Sequence, residues 1–409
     1  MKKLLSLVLC FVLIFGLCGC AGKTAVDTSS AASSAVSSIV SSAVSQTESK
    51  PETKTWFTRG TVKFTAADLQ KAKTQTFVKP KNVIILIGDG MGLNDITIAN
   101  AFAEKRFEFG LVLDNLLNVG KAQTNSLDGT TDSAASGTAL ATGIKTKNGY
   151  VGLDKDLKPL KNATELAREM GKKIGVVTND AIYGATPAAF TVHSESRNNT
   201  AEILQKQATM KLDVFIGDGY SQFISDVDGD AISHLNVAQS ELYWEMKLNA
   251  DLEGKKCFYG FMNADHTTEN NLLAQATEIA LNRLTNDKGF FLMVECATPD
   301  KGGHENSILK KKVGVSNLDK AVAVAVKYCI GHPDTVLIVT SDHETGGVVL
   351  PKGKLEYKNN VFTTTNHTPT PVGVFALGFG TERFNNATVD NTEIAKFLHS
   401  AIKGDLVKE

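Results

Sequence analysis

Residues 335–347 read Thr335-Val-Leu-Ile-Val-Thr-Ser-Asp-His-Glu-Thr-Gly-Gly347. The run opens with five apolar or β-branched residues and no polar alternation, the pattern of a strand covered on both faces. Just past its end come a carboxylate and an imidazole, Asp342 and His343. Four other runs are equally continuous: Val83-Ile-Ile-Leu-Ile87, Ile174-Gly-Val-Val-Thr178, Phe290-Phe-Leu-Met-Val294 and Val372-Gly-Val-Phe-Ala-Leu377. Helical patterns occupy residues 163–170, 318–328 and 392–402, the last preceded by Asp390 and Glu393 as a capping-box signal. The alternation predicts an α/β fold, a three-layer sandwich with a largely parallel central sheet. No internal repeat of solenoid length is present.

Three of these runs end on acidic residues: Asp89 after the first, Glu295 after the Phe290 run, and Asp342. The carboxyl edge of an open α/β sheet is where ligands bind. Alone, Asp89 in Gly88-Asp-Gly90 reads as a turn former; three coincidences at one edge read as a site. Asp300-Lys-Gly-Gly-His304 and the lone His367 add further donors. Asp89, Asp300, Asp342, His304, His343 and His367 are enough for two zinc ions, and mixed imidazole–carboxylate ligation without thiolate suits a catalytic ion. Histidines 193, 234, 266, 332 and 399 have no comparable partners in the sequence and are left unassigned. Cys296 follows a strand and reads as a packing residue.

Thr131-Asp-Ser-Ala-Ala-Ser-Gly137 opens a helix made of small residues. Taken alone, its Asp-Ser pair is an ordinary N-cap. Beside two zinc ions, Ser133 becomes a nucleophile candidate, because a helix N-terminus and a metal both favour its alkoxide.

The chain has 409 residues, 42% hydrophobic, with a formal charge of -1, so it can bury a large core and carries no nucleic-acid footprint. Met1-Lys-Lys and the apolar run behind it read as an export signal over residues 1–19, too short to span a membrane comfortably. Leu17-Cys-Gly-Cys20 resembles a bacterial lipobox, which implies cleavage before Cys20, acylation of its thiol (palmitate-type chains) and an extracytoplasmic location on the cell membrane. Residues 20–55 then read as a Ser/Ala-rich flexible tether, and residues 56–409 as the catalytic domain. Three widely spaced cysteines remain beyond Cys20, which argues against a disulfide framework.

In order along residues 80–400, the chain carries Ile87-Gly-Asp-Gly-Met-Gly92, Thr131-Asp-Ser-Ala-Ala135, Ala185-Thr-Pro-Ala-Ala189, His193 to Arg197, Val294-Glu-Cys-Ala-Thr-Pro-Asp-Lys301 with His304, Thr340-Ser-Asp-His343 and His367-Thr368. This series resembles the alkaline phosphatases. The resemblance implies hydrolysis of small phosphate monoesters through a phosphoserine on Ser133. It places Asp300, His304 and His367 on one zinc, and Asp89, Asp342 and His343 on the other. It also implies a magnesium site of Asp89, Thr186 and Glu295, whose oxygen ligands suit a hard ion. Arg197 corresponds to the substrate arginine, a planar fork for two phosphate oxygens, and Lys301 to a lysine that contacts phosphate through water. The resemblance leaves a homodimer open.

Two competing readings remain. A phosphodiesterase or phosphotransferase on the same fold fits the same motifs, whereas a sulfatase needs a Cys/Ser-x-Pro-x-Arg stretch that this sequence lacks. A tethered binding protein that has lost the chemistry would show damaged ligand positions, and none is damaged. Residues 210–287 match the family motifs poorly and are expected to cover the site. The clearest departure is Gly184, where family members carry Asp or His. It predicts a loosely held third ion and stimulation by added magnesium.

Overall fold

The computed structural model describes residues 63–103, 109–240, 243–252, 257–350 and 361–407. The export signal, Cys20 and the tether lie outside the described residues. The helices are α1 (Ala66–Thr74), α2 (Leu93–Ala103), α3 (Ser133–Thr142), α4 (Ala163–Glu169), α5 (Ala185–Ala189), α6 (Thr200–Met210), α7 (Tyr220–Asp226), α8 (Gly229–Ser233), α9 (Tyr243–Leu252), α10 (Leu272–Leu284), α11 (Thr298–His304), α12 (Ile308–Gly331) and α13 (Asn391–Lys403). The strands are β1 (Asn82–Gly88), β2 (Asn118–Gln123), β3 (Lys173–Ala181), β4 (Val214–Asp218), β5 (Leu235–Gln239), β6 (Cys257–Phe261), β7 (Phe290–Cys296), β8 (Thr335–Thr340), β9 (Glu344–Thr345), β10 (His367–Thr368), β11 (Val372–Leu377) and β12 (Thr388–Asp390).

Among the described residues, ten strands form one sheet in the order β12-β2-β11-β8-β1-β7-β3-β4-β6-β5. Only β11 runs against the rest, pairing antiparallel with both β2 and β8. The five runs read from the sequence are β11, β8, β1, β7 and β3, which stand side by side at the centre. Their continuity has a simple cause. Ile84 and Leu86 of β1 enter one apolar layer with α2, α10 and α12, while Val83, Ile85 and Ile87 enter the opposite layer with α4, α6 and α13. With both faces covered, no position on the strand is left for a polar residue. By contrast, β2 alternates buried and exposed residues and carries no such signature.

Helix α12 starts ten residues before the expected position 318. Ser307 caps it by accepting from the Lys310 amide. The added stretch contains Lys311, whose burial a hydrophobic pattern does not anticipate. At the last helix, Asp390 accepts from the Thr392 amide at 3.0 Å, but Glu393 pairs with Lys396, so the capping box is only half formed. Within 210–287 the described residues extend the sheet through β4, β5 and β6, and His266 reaches back to Thr298 beside the sheet edge. No helix among the described residues is long and apolar enough to cross a membrane.

Candidate active site

Strand register brings the acidic residues to one edge. Ile87 pairs with Glu295 on one side and Thr340 on the other, so Asp89, Glu295 and Asp342 emerge together. The loop after β1 is held by amides: Asp89 donates to the Cys296 carbonyl at 3.0 Å, Gly90 to Asp342 Oδ1 at 3.1 Å and Met91 to Ser341 Oγ at 2.9 Å. Gly90 has φ +65°, and a Cβ there would lie 2.6 Å from the Asp300 Cα. Only glycine meets both demands.

Ser133 is the first residue of α3, behind the N-cap Asp132, and is 4% exposed. Its Oγ lies 3.2 Å from His343 Nε2. The same nitrogen lies 3.2 Å from Asp342 Oδ2 and 3.5 Å from Asp89 Oδ1. Asp300, His304 and His367 place one donor atom each within 4.8 Å of one another, and so do Asp89, Asp300 and His343. Asp300 therefore stands between the two groups.

The hydrogen bonds fix the tautomers. Thr345 Oγ1 donates to Asp300 Oδ1 at 2.6 Å, so its contact with His343 Nδ1 at 3.1 Å requires Nδ1–H as donor. His304 Nδ1 donates to the Thr365 carbonyl and His367 Nδ1 to the Thr131 carbonyl, at 2.7 and 2.8 Å. The neutral His343 thus turns an Nε2 lone pair inward, while Nε2 of His304 and of His367 faces the Asp300 carboxylate, where a bound cation would take the place of their protons. His304 and His367 bring these nitrogens within 3.3 Å of each other, and within 3.3 and 3.5 Å of the Asp300 carboxylate.

The electrostatics point the same way. Among the described residues, Asp89 Oδ1, Asp342 Oδ2 and Thr186 Oγ1 are buried without a hydrogen-bond partner. Burial, then the charges of Asp342, Asp300 and Glu295, raises the Asp89 pKa well above the carboxylate range. Burial pushes Glu295 up to about 8, against a hydrogen bond from Thr178. It likewise pushes Asp342 up to about 6. Burial, then the charge of His367, holds His343 well below the usual imidazole range, so the ring is neutral. Burial also opposes the charged form of Asp300, but hydrogen bonds from His304 and His367 outweigh it and keep the carboxyl ionised. Crowded buried carboxyls and inward imidazole nitrogens form a pocket suited to divalent cations, which would take the place of the protons held there.

Around this centre, Arg197 Nη1 bonds Asp132 Oδ2 at 3.2 Å, and its amide donates to the Gly149 carbonyl. Asp132 Oδ1 caps the Ala135 amide, so one carboxylate fixes both α3 and the arginine. Lys301 Nζ pairs with Asp180 Oδ2 at 2.9 Å. Burial opposes its charge, and Asp180 outweighs that and raises the pKa. Thr178 Oγ1 donates to Glu295 Oε2 at 2.5 Å, and the Thr186 hydroxyl lies beside the same carboxyl.

Sequence reasoning read Asp132 only as part of an N-cap pair, which it is, and did not single out Thr345, Asp180 or Lys311. Asp132 and Thr345 carried a signal, since Asp132 immediately precedes Ser133 and Thr345 lies two positions after His343. The last two become visible only when distant segments meet. His193, left unassigned, bonds Glu165 at 2.9 Å and the Gly152 carbonyl at 2.7 Å, and so supports the loop before Arg197. His266 reaches Thr298 Oγ1 at 2.9 Å from residues 262–271. Cys296 is buried, with its thiol pushed up to about 11 by that burial, as a packing residue would be.

A sequence model of the alkaline phosphatases matches residues 80–233 and 259–360. Alkaline phosphatase 4 of Bacillus subtilis is 33% identical over 318 residues, which cover 70% of this chain and 67% of that protein. The alkaline phosphatase from the Antarctic bacterium TAB5 superposes with a TM-score of 0.68 at 29% identity, covering 80% of this chain and 99% of that one. A TAB5 mutant with Mg bound in the M3 site does so with a TM-score of 0.69 at 30% identity and the same coverage. The sheet edge, its donors and these likenesses agree: this chain belongs to the alkaline phosphatase family and is a phosphoric monoester hydrolase.

Proposed function

We propose that the protein cleaves phosphate monoesters outside the cytoplasm by transferring the phosphoryl group to Ser133 Oγ and then to water. The observation that carries this reading is Ser133 Oγ at a helix N-terminus, 3.2 Å from a neutral His343 Nε2 that faces two unpartnered carboxylate oxygens. Asp300, His304 and His367 would hold one zinc, Asp89, Asp342 and His343 a second, and Asp89, Thr186 and Glu295 a magnesium. When bound, these ions supply Lewis acidity and neutralise charge on the attacking and leaving oxygens.

The chain's own groups do the rest. The first turn of α3 points free amides and the positive end of its dipole at the region where Ser133 Oγ loses its proton. Arg197 binds two non-bridging phosphate oxygens, with Asp132 holding the guanidinium in place. The phosphate monoester is a dianion, and the fork of Arg197 favours it over a diester. Lys301, held by Asp180, would contact the phosphate through one water. Cys20, with lipid attached to its thiol, would anchor the enzyme to the membrane, with residues 20–55 as the tether.

Ser133→Ala tests the reading. Acid quench during turnover of a labelled monoester should trap phosphoserine in the native chain and none in the variant. The variant should lose turnover by several orders of magnitude while keeping its metal content and its binding of inorganic phosphate. Full turnover in the variant would refute the role of Ser133.

A further inference from the structure

The carboxyl end of β3 is irregular. Val177 pairs with Ile216 and Ala181 with Asp218, so residues 178–180 stand opposite the single residue Gly217. Bulges of this kind re-aim side chains beside active sites. Here the bulge presents three successive side chains to β7 and α11. Thr178 Oγ1 bonds Glu295 Oε2 at 2.5 Å, and Asn179 accepts from the Ala297 amide and donates to Thr298 Oγ1, both at 2.8 Å. Asp180 Oδ2 takes Lys301 Nζ at 2.9 Å, and its own amide returns to Thr178 Oγ1 at 3.0 Å. Thr186 Oγ1, 1% exposed, lies beside the Glu295 carboxyl.

We propose that Asp180, delivered by this bulge, is the outer carboxylate of the hard-cation site: it holds Lys301 and orients the water shell of a magnesium ion bound by Asp89, Thr186 and Glu295. The inference rests on the metal sites proposed above. It changes the expectation attached to Gly184. That residue has φ -52° and caps α5 without a side chain, and a Cβ there would approach the Ala181 carbonyl to 3.0 Å. The support that a residue at 184 would give comes instead from four positions upstream. Asp180 is a positioning residue, since a hard octahedral ion keeps several waters and an outer carboxylate binds those waters.

The test is calorimetric titration of magnesium chloride into zinc-loaded enzyme, which reads the ion directly rather than through turnover. Asp180→Asn is isosteric at a side chain 32% exposed, so the fold is not at risk. It should raise the magnesium Kd by about 10–100-fold. Gly184→Asp should leave the titration unchanged, because the supporting carboxylate is already present. An unaltered Kd in Asp180→Asn, or tenfold tighter binding in Gly184→Asp, overturns the proposal. Glu295→Gln separates the two levels of the argument. Loss of binding there with native binding in Asp180→Asn removes only the role of Asp180, whereas native binding in Glu295→Gln removes the magnesium site and this proposal together.

Discussion

Lys311 and Asp95 form an ion pair at 2.8 Å with both side chains fully buried. Burying two charges is costly, and replacing such a pair by apolar residues of similar size is often neutral or stabilising. Stability alone therefore does not explain it. Its position does: Lys311 Nζ also donates to the Gly90 carbonyl at 2.8 Å, and the Gly92 amide donates to Asp95 Oδ2 at 2.8 Å. The pair thus clamps both sides of the turn that presents Asp89. Lys311→Met leaves Asp95 buried and unpaired, which costs about 3–5 kcal/mol. With an unfolding entropy of roughly 2.1 cal/mol/K per residue over about 350 residues, Tm should fall by about 4–7 °C. Asp95→Leu with Lys311→Met removes both charges and should recover most of that loss, while Asp89 stays poorly placed and zinc affinity falls by about 10–100-fold. Circular dichroism melts of chelator-treated protein read the first effect without masking by bound metal. Competition against a chromophoric chelator reads the second. A single variant that melts like the native protein, or a double variant with native zinc affinity, would refute the clamp.

Arg197→Ala should raise KM for a monoester and lower kcat. Arg197→Lys should recover little of either, because an ammonium cannot reproduce the planar fork or its bond to Asp132; steady-state kinetics on a nitrophenyl monoester decide this, and full recovery by lysine would refute bidentate binding. Cys20→Ser should move the protein from membrane pellets to the soluble fraction with unchanged kinetics, as fractionation and assay would show. Continued pelleting would refute Cys20 as the anchor.

The central strands were legible because burial on both faces leaves an unbroken apolar run, and the donors because they follow those runs directly. What escaped has a common physical character. The bulge at residues 178–180 depends on pairing with β4, a partner no local pattern identifies. Lys311 breaks the apolar periodicity of α12, yet the helix continues through it because Asp95, 216 positions away in sequence, supplies the counter-charge. The grouping of ligands was legible only in outline: His343 lies within 4.8 Å of Asp300 as well as Asp89, so Asp300 touches both donor groups in three dimensions.

That crowding has a thermodynamic consequence for the metal-free protein. Glu295 stays protonated up to about pH 8 in the fold, whereas in the unfolded chain it ionises near 4.5. Asp89 is shifted in the same direction. Between those limits the native state binds more protons than the unfolded state, so stability falls as pH rises. His304, raised chiefly by its hydrogen bond to Asp300, acts with the same sign, since its contribution is lost as pH climbs through its folded value. His367 is raised as well: burial opposes its charge, and the Asp300 hydrogen bond prevails. His343, held low by burial, opposes this trend only below about pH 6.5, where the unfolded ring protonates. The clean window is therefore pH 6.5 to 8.5. Across it Glu295 alone should remove about 2 kcal/mol, or about 3 °C in Tm. Divalent cations take the place of the protons and bind more tightly as pH rises, so the loaded enzyme should show no such decline. Melts of chelated and loaded protein at three pH values across the window test this. A chelated protein whose Tm is flat or rising there would mean that these carboxylates are not crowded together without metal, and the site as drawn would be wrong.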